Sequence, residues 1–122
     1  MVKIYRKSGN ELILIQEPEK DCWINIIPPF NMEELELLSK KTQAPFSYIT
    51  DCIDQFERSR FESQDDAKLI VINTPVVNDG FDVEDEATFI TVPVGIILVP
   101  DIFMTVSSVN NPTIEWFEKN VL

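Results

Sequence analysis

Leu12-Ile13-Leu14-Ile15, Cys22-Trp23-Ile24-Asn25-Ile26 and Asn31-Met32-Glu33-Glu34-Leu35 lie in close succession near the start of the chain. The first run is continuously apolar, as expected of a strand covered on both faces. The second is rich in β-branched and aromatic residues and reads as another strand. The third opens a helix. Asn31 is its N-cap, Glu34 follows three residues on as in a capping box, and Phe30 with Leu35 is placed for a hydrophobic staple. Strands with two apolar faces need helices above and below, so the chain belongs to the α/β class.

The remaining pieces fall around this stretch. Val2 to Arg6 and Glu11 to Gln16 read as strands joined through Ser8-Gly9-Asn10. Cys22 to Ile27 is the third strand. The first helix spans Asn31 to Thr42, with Met32, Leu35 and Leu38 at helical spacing. Pro45 can open a second helix, to Gln55, at the position where its missing N–H costs nothing. Phe46, Ile49, Ile53 and Phe56 would form its inward stripe. Asp51 and Asp54, three apart, would be neighbours on its outer face.

Arg58 to Ser63 reads as a strand with Phe61 pointing in and Arg60 and Glu62 pointing out. Leu69-Ile70-Val71-Ile72, within Lys68 to Thr74, should again be buried on both faces. Asn78-Asp79-Gly80 is a hairpin signal in an acidic loop. Gly80 and Glu86 fit an EF-hand spacing, but Pro75 and Val77 would stand where ligands are needed. The loop therefore reads as a solvated hairpin that could hold a divalent ion only loosely. Ala87 to Val92 and Val94 to Val99 flank Pro93, which should mark a bulge or an edge. Pro100-Asp101 turns the chain into Ile102 to Ser108. Asn111-Pro112 starts a last helix, to Asn120. Its Trp116 and Phe117 need a surface to cover, which suggests that the natural chain continues.

The expected architecture is a three-layer α/β/α sandwich on a mixed sheet of six or seven strands, formed by residues 1–122 as one domain. A chain of 122 residues with 44% hydrophobic residues can build its own core. Trp23, ending a core strand beside the first helix, should be largely buried.

Charge and missing residue types narrow the function. The formal net charge is -11, which disfavours nucleic acid and anionic membrane surfaces and suits a cation. Cys22 and Cys52 are the only cysteines and form no C-x-x-C pair, as in a reduced cytosolic protein. The N-terminus does not read as a signal peptide, and no apolar stretch is long enough to span a membrane. There is no His, no P-loop, no dinucleotide-binding fingerprint and no G-x-S-x-G, so an enzyme is not expected.

The order of the pieces is more specific than any one of them. A Trp23-Ile24-Asn25 strand leads to an acidic-capped helix. A short helix ending Asp51-Cys52-Ile53-Asp54 follows, then Arg58-Ser59-Arg60-Phe61-Glu62 and Leu69-Ile70-Val71-Ile72. Gly95-Ile96-Ile97-Leu98 and Thr105-Val106 complete the set. From about Leu12 to about Val109 this resembles the N-terminal cytoplasmic domain of CorA-type magnesium transporters.

The resemblance implies a soluble cytoplasmic domain that is cut before a stalk helix and two transmembrane helices. It implies a regulatory, metal-sensing role in gating a homopentameric channel of the cell membrane, with the stalk and neighbouring subunits as partners. Asp51 matches an acid that supplies half of an intersubunit magnesium-sensing site, and Asp54 is a second candidate. Thr50 stands where some relatives carry an acid for a further site. Regulatory Mg²⁺ would bind the isolated, monomeric domain weakly or not at all. The alternative is a stand-alone acidic domain that holds a protein partner.

Overall fold

In the computed structural model, which describes residues 1–54, 56–77 and 89–120, ten elements follow one another. They are β1 (Val2–Ser8), β2 (Glu11–Ile15), β3 (Cys22–Ile26), α1 (Met32–Thr42), α2 (Phe46–Ile53), β4 (Arg60–Gln64), β5 (Ala67–Val77), β6 (Phe89–Val99), β7 (Ile102–Ser107) and α3 (Pro112–Lys119). All seven strands join one sheet in the order β2-β1-β3-β7-β6-β5-β4. The β3–β7 pair is parallel and the others are antiparallel, so the sheet is mixed as expected. The hairpin expected at Asn78-Asp79-Gly80 lies outside the described residues, as do Ala87 and Thr88.

Local chemistry accounts for the joints. Gly9 turns β1 into β2 at φ +61, a conformation that glycine adopts without strain. Asn31 caps α1 by accepting the Glu34 N–H at 3.1 Å. At the other end Gln43 takes the left-handed conformation and returns its N–H to the Ser39 carbonyl. Asn111 caps α3 through the Thr113 N–H, with Pro112 in the first turn. Pro45 is the N-cap of α2 rather than its first helical residue, and its carbonyl accepts the Tyr48 N–H.

Pro93 sits inside β6 without a bulge, in unbroken register opposite Asn73 of β5. On the other side β7 has ended, because its last pair is Ser107 with Val94. Pro93 therefore has a strand neighbour on one side only, and the expected edge is local.

Alternation along the strands sorts the side chains onto two faces. Ile4, Cys22, Ile24, Ile26, Leu69, Val71, Ile97, Met104 and Val106 meet α1 and α2 through Leu35, Leu38, Tyr48, Ile49 and Cys52 in one buried core. Gly95 faces α2 so closely that a Cβ there would lie 2.0 Å from the Cys52 sulfur. The opposite face carries Tyr5, Trp23, Phe103, Thr105, Ile96 and Ile72, with α3 over one end. There Ile114 is buried, the Asn111 side-chain amide donates to Thr74 at 2.6 Å, and the Tyr5 hydroxyl donates to Glu118.

Several expectations about direction change. The second helix stops at Ile53, short of Gln55, which itself lies outside the described residues. Its buried residues are Tyr48, Ile49 and Cys52, and Phe56 past its end is 82% exposed. The two-sided cover expected of Leu12 to Ile15 fails, because β2 is an edge strand and Leu14 is 66% exposed. Ile72 is likewise exposed. Trp23 is only partly buried and points away from α1. It stacks on Tyr5 at 5.1 Å and donates its indole N–H to Thr105 at 2.9 Å.

Candidate functional site

Asp51 lies in the last turn of α2, and Arg60 opens β4 opposite Val71. Val71 is a core residue on the helix-covered face, so Arg60 points to that face and Phe61 to the other. This reverses the expected orientation of the strand. The Arg60 Nη2 donates to Asp51 Oδ2 at 2.8 Å, and its Nη1 pairs with Glu57. The buried Nε lies 3.6 Å from Glu62, beyond hydrogen-bond reach but close enough for attraction.

One guanidinium therefore faces three carboxylates. The Arg60 side chain is 26% exposed and that of Asp51 43%, so this network sits at the rim of the domain. Burial works against the Arg60 charge, but Glu57, Glu62 and Asp51 outweigh it and its pKa rises.

Asp54 does not stand beside Asp51 on a helical face. It is the C-cap of α2, in an extended conformation, and its carboxylate accepts the Phe56 N–H at 2.8 Å. The short helix ends one residue too early for the expected pair. Cys52, next to Asp51, is fully buried. Burial pushes its thiol up to about 12, with Arg60 opposing and Asp51 and Glu57 adding to the shift. Cys52 is therefore a packing residue, not a nucleophile.

Among the described residues no three His, Cys, Asp or Glu side chains are gathered to hold a metal. Mg²⁺ keeps several waters and takes one or two carboxylates from protein. Asp51, with its side chain 43% exposed, is open to solvent, and the described residues by themselves do not complete a site. Arg60 was the residue that the sequence reading missed. Its signal was present as acids at Glu57 and Glu62 around an Arg, but which side Arg60 faces depends on its register with β5.

No protein-family model and no curated protein matches the chain. Solved structures do. The complete CorA magnesium transporter of Methanocaldococcus jannaschii matches 98% of the chain with a TM-score of 0.76 and 24% identity. The soluble domain of the same CorA matches 98% with a TM-score of 0.73 and 23% identity. The chain has the CorA soluble-domain fold. The cytoplasmic domain of ZntB from Vibrio parahaemolyticus also shares it, over 96% of the chain, with a TM-score of 0.70 and 10% identity.

The chain spans 36% of the complete CorA, 45% of its soluble domain and 47% of the ZntB domain. Among the described residues no helix is long and apolar enough to cross a membrane. The CorA-like part thus comprises the sheet, the two helices on its covered face and α3.

Proposed function

We propose that this chain is the cytoplasmic, metal-sensing domain of a CorA-type magnesium or divalent-cation transporter, a homopentamer of the cell membrane in which it controls gating. The observation that carries this reading is the match to the CorA soluble domain over 98% of the chain. Asp51 is the residue we assign to sensing, as one carboxylate of a contact between neighbouring subunits. Asp54 is a weaker candidate because its carboxylate already caps the chain at Phe56.

The proposed mechanism rests on charge. Facing carboxylates across a subunit interface repel, and a bound divalent ion supplies the positive charge that makes the contact attractive. Arg60 neutralises Asp51 in its absence. When Asp51 turns toward the interface, Glu57 and Glu62 keep Arg60 paired. Falling Mg²⁺ then loosens the interface and biases the pore toward opening.

The test uses the full-length protein, digested with protease with and without millimolar Mg²⁺. Wild type should gain protection with Mg²⁺, and Asp51→Asn should blunt that gain. Equal protection of both would remove Asp51 from the sensor. Residues 1–122 alone should be monomeric, with a Tm almost unmoved by Mg²⁺, because one carboxylate gains little over bulk hydration.

A further inference from the structure

Arg60 already supplies a positive charge to Asp51, the carboxylate assigned to sensing. Its Nη2 donates to Asp51 Oδ2 at 2.8 Å, while Nη1 pairs with Glu57. Glu57 is the better buried of the two acids, its side chain 20% exposed against 43% for Asp51. It also accepts the Arg58 N–H at 3.1 Å. Glu57 is therefore the fixed point of the network, and Asp51 is the exchangeable one.

The third contact of the guanidinium is unfinished. Nε is buried, has no hydrogen-bond partner among the described residues, and lies 3.6 Å from Glu62. A buried N–H left without a partner is costly. A small movement of the guanidinium from Asp51 toward Glu62 closes that bond as the Asp51 bond opens. Asp51 can thus be released without stranding the Arg60 charge.

We infer that Arg60 is the specificity-determining residue of the cation contact, a tethered competitor for Asp51 that divalent cations displace and monovalent cations do not. The inference rests on the proposed role of Asp51 in sensing. Charge decides the outcome. Exchanging Arg60 for a potassium or sodium ion replaces one positive charge by another and loses a directed, charge-assisted hydrogen bond. The ion must also come from solution, whereas the chain holds the guanidinium at high effective concentration. Exchange for a divalent ion brings two charges in place of one, which doubles the attraction to Asp51 and to an acid facing it across the interface. A solvent-open carboxylate suits an ion that keeps most of its waters. With Arg60 gone, nothing in this network would reserve Asp51 for divalent ions.

The experiment measures protease protection of the full-length protein against Mg²⁺ concentration, and separately with potassium chloride replacing choline chloride at equal ionic strength. Wild type should respond to Mg²⁺ and not to potassium. Arg60→Gln should reach half-protection at about 2- to 5-fold lower Mg²⁺, the effect of freeing one partly exposed ion pair, and should gain protection from potassium. Arg58, exposed just before β4, controls for long-range charge. Arg58→Gln removes the same charge without touching Asp51, so it should shift the midpoint less and leave potassium without effect. Arg60→Lys serves if Arg60→Gln does not fold. It keeps the charge but loses the planar fork, so the midpoint should fall by less and potassium should stay excluded.

An Mg²⁺ midpoint that Arg60→Gln leaves unchanged or raises would overturn the inference, as would an equal shift in Arg58→Gln. If Asp51→Asn still blunts protection in those cases, the sensing role stands and only the competition is lost. Equal protection of wild type and Asp51→Asn would remove the sensing role and the competition together.

Discussion

The two faces of the sheet are built from the same strands, yet they are finished to different degrees. Met104 and Phe103 are neighbours on β7. Met104 is fully buried under the two helices, while Phe103 is 41% exposed on the other side. The covered face is packed until backbone and side chain nearly touch, as at Gly95 and Cys52. The other face combines a polar seam with an open groove. There Trp23 donates to Thr105, and Thr105 donates to the buried Asn25 at 2.9 Å. Stability should thus come mainly from the first face.

The sharpest way to break this contrast is to empty one site on each face. Met104→Ala should cost about 2–5 kcal/mol, the range for deleting a large core side chain. Phe103→Ala should cost under about 1 kcal/mol in residues 1–122, because much of that ring already faces water. Denaturant titration reads both. Equal losses would mean that the two faces are equally finished. Trp23→Ala belongs between them, since the indole is partly buried and loses its bond to Thr105.

Gly95 tests how tightly α2 is seated. A methyl group there meets the Cys52 sulfur and Cβ, so Gly95→Ala should destabilise by about 1–3 kcal/mol through overpacking. The double variant Gly95→Ala with Cys52→Ala removes the sulfur but keeps the Cβ at 2.7 Å, so partial restoration would locate the clash at that contact. An unchanged unfolding midpoint in the single variant would show that the helix can shift at no cost.

The buried thiol sharpens the comparison through pH. Burial raises the Cys52 pKa from 9.0 to about 12, so the folded state favours the neutral thiol. The unfolded chain releases this proton first as pH rises. Stability from this group is therefore full below pH 9 and falls between about 9 and 12, by up to about 1.4 kcal/mol per pH unit. Cys52→Ala should flatten that part of the stability curve. Tyr5 adds to the alkaline loss, because burial and its bond to Glu118 raise its pKa above 10.0. An alkaline slope unchanged in Cys52→Ala would assign the loss to the other groups whose pKa is raised by burial, Tyr5, Cys22 and Tyr48.

The smallest effect is expected at the rim. Arg60→Met removes the shared partner of Asp51, Glu57 and Glu62. Because these groups are partly exposed and screened, the change should be about 0.5–1 kcal/mol and should shrink further in high salt. A salt-independent loss of several kcal/mol would make Arg60 a core residue of the covered face rather than a rim clamp.

Much of the fold could be read before any coordinates. The cap at Asn31, the turn at Gly9, the three helices and all the strands but the one that runs unbroken through Pro93 follow from short-range chemistry: side-chain oxygens that replace missing helix bonds, and residues that tolerate a turn. The resemblance to CorA rested on the order of these same pieces. Side-chain direction is less legible in the sequence. Apolar runs such as Leu12 to Ile15 look alike whether a strand is central or at an edge, because a run of Leu and Ile carries no alternation to mark its faces. The spacing of Asp54 and Phe56 continues the helical pattern, yet the helix ends at Ile53, before both.

By itself, then, the sequence determined the order and type of the elements, that they form a mixed α/β domain, and that an acidic chain with no His is a poor candidate for the commonest catalytic chemistry. The tertiary structure alone decided which way each side chain faces. It turned Arg60 toward Asp51, turned Phe61 outward, and left Trp23 on the floor of a groove. The physical reason is the period of two in a strand. A shift of one residue in register changes no local preference, yet it sends every side chain to the opposite face.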